Sequence, residues 1–178
     1  MKKVIIGLIV IAVLGLGAFF ILKSPESSDW KTYENTRYIF SVDYPGNWDL
    51  REAPTNNDGR EFDSPDGDIA CRTYGFNNSL LNDRGEPQTL SEFVDWLTEN
   101  PEIEEVLERN NTTMAGKEAQ ELVTLDNGIT VRAVYVLGVE TGRGLVCSYP
   151  NKEIMDKQNE NFVTMKQSFS INTSLDGV

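Results

Sequence analysis

The dipeptide Asn127-Gly128, with apolar runs on either side, constrains this chain more than any other stretch. Asn-Gly favours the two-residue type I′ turn, because both positions tolerate positive φ and the turn's twist matches that of paired strands. The spacing predicts a hairpin with strands over Glu118–Leu125 and Ile129–Val139. In the second strand, VRAVYVLGV, Val131, Ala133, Tyr135 and Leu137 fill one alternation set and Val134 and Val136 the other. A strand wet on one face would alternate apolar with polar residues, so this strand is expected at the centre of a sheet covered on both sides, with helices as the cover.

The remaining elements follow from shorter signals. Trp30–Tyr33 and Tyr38–Tyr44 read as paired strands around Glu34–Arg37, and Pro45 stops the second because it lacks a ladder N–H. Trp48 is then expected to fold back as a plug over the strand end. Arg60–Asp63 and Ile69–Phe76 read as a hairpin about Ser64-Pro65-Asp66-Gly67, where Pro and Gly suit a type I turn. That turn has three carboxylates in six residues but lacks the spacing of a calcium loop. Thr89 and Glu92 form a capping box ahead of Leu90, Phe93, Val94 and Leu97 on one helical face. Pro101 opens a second expected helical piece through Ile103, Val106 and Leu107, ended by Asn110 and Asn111. Gly142–Gly144 reads as a turn before a strand over Leu145–Tyr149, and a last helix runs from Lys152 to Phe169 with a polar interruption at DKQNEN.

Ahead of all this, Val4–Leu22 contains no charge and follows Lys2 and Lys3. Nineteen helical residues span about 28 Å, the thickness of a bilayer's hydrocarbon layer. Basic residues are retained on the cytoplasmic side, which places the domain on the other. A cleaved signal peptide is the alternative, with a shorter apolar core and a small-residue site expected. The organisation expected is a transmembrane signal anchor over residues 1–22, a linker over 23–29, one domain over 30–172 and a tail over 173–178. Net charge is −12 although both anchor lysines count toward it, so the domain is strongly acidic and a poor partner for nucleic acid.

The segments Tyr38-Ile39-Phe40-Ser41-Val42-Asp43-Tyr44-Pro45 with Trp48, Phe62-Asp63-Ser64-Pro65-Asp66-Gly67, Tyr135-Val136-Leu137-Gly138, and Phe162, Met165, Ser168 and Phe169 occur in an order that resembles the PsbP-like family. This is the Mog1/PsbP α/β/α sandwich group, and the resemblance covers nearly the whole soluble part. It implies an α+β fold, a three-layer α/β/α sandwich with a mainly antiparallel central sheet, here preceded by one transmembrane helix. It also implies a non-enzymatic domain that docks on a larger assembly. The metal-binding histidines of photosystem members have no counterpart in a chain without histidine, and the basic docking patches are absent from so acidic a sequence.

The lack of histidine removes the usual general base and the commonest metal ligand, so no catalytic constellation and no cofactor is expected. Cys71 and Cys147 fall in predicted strands and are either bridged, as an extracytoplasmic domain permits, or two small buried hydrophobes. The expected function is a membrane-tethered module that binds a protein partner. A carrier of a small apolar ligand between sheet and helix is the alternative, lined by Trp48, Tyr74 and Trp96, and a carboxylate hydrolase ranks last.

Overall fold

The computed structural model describes residues 29–52, 58–78 and 85–172. The expected anchor over residues 1–22 and the tail over 173–178 lie outside these residues, as does most of the linker. Among the described residues no helix is long and apolar enough to cross a membrane.

Among the described residues, ten strands and three helices follow in the order β1 (Trp30–Asn35), β2 (Phe40–Pro45), β3 (Asp49–Glu52), β4 (Gly59–Asp63), β5 (Ala70–Asn77), α1 (Leu90–Thr98), β6 (Ile103–Met114), β7 (Lys117–Asp126), β8 (Ile129–Leu137), β9 (Thr141–Tyr149), α2 (Lys152–Lys157), α3 (Asn159–Ser168) and β10 (Ser170–Ile171). Seven strands form one antiparallel sheet in the order β3-β4-β5-β9-β8-β7-β6, and three form a second in the order β1-β2-β10. The fold is mixed α/β and dominated by these sheets.

β8 lies inside the large sheet, and Ala133, Val134, Tyr135 and Val136 are all buried, which accounts for its two apolar alternation sets. Val134 and Val136 join one core cluster with Cys71, Leu145 and Cys147, with Phe40, Val42 and Tyr44 of β2, and with Met155, Phe162, Met165 and Phe169. Ala133 and Tyr135 join a second cluster with Leu122 and with Phe93 and Val94 of α1. One face therefore carries the small sheet with α2 and α3, and the other carries α1. Trp48 is buried in the first cluster, at a turn closed by its own N–H to the Pro45 carbonyl at 2.9 Å.

The structure corrects several expectations. The helix expected from Pro101 is instead the twelve-residue edge strand β6, in which Asn110 and Asn111 pair with Glu121 and Gln120 of β7. The register slips between Ile103 and Glu105 and again between Val106 and Glu108. Each bulge adds a residue, so the apolar positions fall three apart and imitate a helical period. Gly142 and Gly144 are not a turn but residues of β9. They are glycine because the Phe76 ring would lie 2.2 Å from a Cβ at Gly142 and the Tyr135 ring 2.9 Å from one at Gly144. The chain turns earlier, where Gly138 donates to the Thr141 carbonyl at 2.8 Å, and so β8 stops at Leu137. The connection between β1 and β2 extends to Ile39, whose φ of 54° is strained for a β-branched residue. The interruption expected at DKQNEN is present: α2 and α3 are separated at Gln158.

Candidate functional site

α1 is positioned by its sequence at both ends. Thr89 Oγ1 accepts from the Glu92 N–H at 3.3 Å, and the Glu92 carboxylate accepts from the Thr89 N–H at 2.8 Å, completing the capping box. Phe93 stacks on Phe76 at 5.0 Å and meets Tyr135 edge-on at 5.6 Å. From β6, Arg109 reaches Asp95 at 2.5 Å and Ser91 Oγ at 3.1 Å while also contacting Gln120. The helix ends at Thr98, with Glu99 as its cap, ahead of Asn100-Pro101.

Nine residues of helix are about 14 Å long and about 10 Å wide, whereas seven strands at about 4.8 Å spacing make a sheet about 29 Å across. α1 therefore leaves part of the sheet bare. The bare part is a groove of about 430 Å³ beyond the helix's last turn, bounded by Leu97, Asn100 and Ile103 and open along one side. The two-residue alternation of the strands decides its floor: Arg72 and Tyr74 from β5, Val146 from β9, Val131, Ala133 and Tyr135 from β8, and Leu122, Thr124 and Asp126 from β7.

The floor is apolar except at a few points. The rings of Tyr74 and Tyr135 approach each other over Gly144, where a Cβ would lie 3.3 Å from one and 2.9 Å from the other. Burial pushes Tyr135 well above the usual tyrosine range, and the neighbouring Tyr74 adds to this. Burial also raises Tyr74, against the opposing effects of Tyr135 and the Arg72 charge. Both are thus un-ionised polar groups at neutral pH. The Arg72 guanidinium lies 5.0 Å from the Tyr74 ring centre, and Arg72 pairs in register with Glu61 of β4. Two buried atoms in this groove have no hydrogen-bond partner within the protein, Nε of Arg72 and Oδ1 of Asp126.

Of the three aromatics expected to line a ligand site, Tyr74 alone lines this groove. Trp48 is buried on the opposite face of the large sheet, and Trp96 stands on α1 with 49% of its surface exposed. One aromatic per element looked equivalent in the sequence, but the pleat of β5 and the rotation of α1 separate them. Arg72 and Asp126 gave no sequence signal: one is a polar residue in an alternating strand, the other resembles any Asp before an Asn-Gly turn. Cys71 and Cys147 are register partners on β5 and β9 and form a disulfide, both side chains buried in the first core cluster. Among the described residues no group of three or more His, Cys, Asp or Glu is gathered to hold a metal.

No family model and no curated protein matches the chain in sequence. Solved structures do match it in shape. The solution structure of cyanobacterial PsbP (CyanoP) from Synechocystis sp. PCC 6803 superposes with a TM-score of 0.59 at 12% identity, covering 84% of this chain and 96% of that one. The chain has a PsbP-like fold. A crystal structure from Bacteroides thetaiotaomicron matches with a TM-score of 0.50 at 13% identity, covering 81% of this chain and 49% of that one. At such identities the PsbP-like fold is shared while nothing about a common site follows, so the groove has to be judged on its own chemistry.

Proposed function

We propose that this chain is a non-enzymatic, extracytoplasmic binding module, tethered by an uncleaved Val4–Leu22 helix with its amino terminus in the cytoplasm, and that it engages a protein partner through the groove beside α1. In this reading the PsbP-like domain is a three-layer α/β/α sandwich whose α1 layer is deliberately incomplete. The observation that carries it is the open groove: an apolar floor next to a short helix, accessible from the side, suits the side chains of a protein surface. The Cys71–Cys147 disulfide supports placement in an oxidising compartment, where such bonds persist. Both cysteines are used in that bond and the sequence holds no histidine, which supports a non-enzymatic role. Tethering raises the local concentration at the membrane, so a weak contact suffices.

Carriage of a small apolar ligand is the second reading, favoured by a groove volume of about 430 Å³, within the range of small-molecule sites. A photo-crosslinking residue at Val131, compared with one at Glu153 on α2, separates the two in intact cells. Protein binding predicts a discrete crosslinked polypeptide from Val131 and none from Glu153; recovery of the bare protein alone from both positions counts against it. Protease added to the extracytoplasmic side is expected to digest the domain, and protection from it defeats the proposed orientation.

A further inference from the structure

We propose that the groove takes an extended, basic and apolar segment of the partner polypeptide, with a lysine or arginine of that segment paired to Asp126 and its apolar side chains seated on Val131, Ala133 and Val146. This rests on the groove being a protein-binding site. Asp126 lines the groove half-buried, and its Oδ1 has no hydrogen-bond partner in the protein, so that atom is left for an incoming cation or donor to satisfy. The groove's own cation does not serve. Arg72 lies on β5, three strand spacings or about 14 Å from β7, with its guanidinium over Tyr74 and Glu61 as its register partner.

A metal ion is a poor occupant, because no group of three potential ligands gathers there among the described residues. An ammonium or guanidinium is a good one: it needs one carboxylate, and its methylene stem needs apolar surface, which Val131 and Leu122 provide. The surroundings favour the same sign of charge. Glu61 borders the groove, Glu102, Glu104 and Glu105 lie just along the chain from Ile103, and the whole sequence carries −12. Alternation along β8 places Val131 and Ala133 on one face, a spacing that an extended segment with apolar residues two apart can match.

The test is direct binding to the full-length chain in neutral detergent micelles, using fluorescently labelled pentapeptides that differ only at the first residue and carry their valines on the same face as it: Lys-Ser-Val-Ser-Val, Gln-Ser-Val-Ser-Val and Glu-Ser-Val-Ser-Val. The lysine peptide is expected to bind at least tenfold more tightly than the glutamine one, and the glutamate peptide more weakly than either. Asp126→Asn should erase the lysine preference; Glu153→Gln, on α2, should leave all three affinities as they are. Val131→Trp should block every peptide. Equal binding of the lysine and glutamine peptides to the unaltered chain, a lysine preference that survives Asp126→Asn, or no binding of any peptide overturns the inference. If Val131→Trp blocks binding but Asp126→Asn does nothing, the groove reading stands and the basic-segment inference falls. If the lysine peptide binds despite Val131→Trp, attraction to the general acidic surface explains it and both fall.

Discussion

Glu121 of β7 accepts from Arg132 of β8 at 2.6 and 2.8 Å through one carboxylate oxygen and from Lys166 of α3 at 2.7 Å through the other. Arg132 also covers the Phe162 ring at 4.3 Å and donates to Asn159, so one carboxylate joins the large sheet to α3. Burial raises the Glu121 carboxyl, but the hydrogen bonds from Lys166 and Arg132 outweigh it and hold the group below its ordinary value of 4.5. A carboxyl depressed by folding stabilises the fold above its unfolded pKa, and that contribution is lost as pH falls through the lower folded value. Glu121→Gln should lower stability at pH 7 by roughly 3 kcal/mol and flatten the loss below pH 4.5, as read by urea denaturation at a series of pH values. A parallel shift with the acid slope unchanged would deny Glu121 this role. Gly142→Ala should cost about 1–3 kcal/mol in the same assay, because a Cβ there meets the Phe76 ring at 2.2 Å. The reason for these glycines was hidden in the sequence, since a Gly-Arg-Gly run reads as a turn until the rings of neighbouring strands are laid over it.

At the scale of elements, hairpins and caps were legible because their causes are local. Asn127 and Gly128 adopt φ of 49° and 81°, and the Thr89–Glu92 box starts α1 as its spacing requires. β6 was not legible, since two bulges disguise its period and its pairing with β7 is decided by the sheet. β6 is also an edge strand, and an exposed edge invites pairing with another chain. Glu104, Glu105 and Glu108 are exposed along it and oppose that through charge repulsion. Replacing all three with threonine should produce concentration-dependent self-association in analytical ultracentrifugation. A species that stays monomeric at every concentration would show that the bulges alone protect the edge.

At the scale of the molecule, the PsbP-like arrangement was legible from the order of short motifs, and the chain shares that fold with cyanobacterial PsbP at 12% identity. The groove was not legible, because it exists only where a short helix fails to span a wide sheet. The Cys71–Cys147 bridge closes a separation of 76 residues that includes α1 and β6–β8. Replacing both cysteines with alanine should lower unfolding free energy by about 2–4 kcal/mol, measured by denaturant titration. An unchanged midpoint would assign the pair a packing role alone.

β2 lies between β1 and β10, and the Asp43 N–H donates to Ser168 Oγ across 125 positions of chain. A polypeptide emerges from the ribosome amino end first, so β1 and β2 are made long before the strand and hydroxyl that finish their sheet. Closure of the small sheet therefore waits on Ser168–Ile171: it lacks its third strand until they are translated, and a nascent chain stalled before Ser168 holds an unclosed clasp.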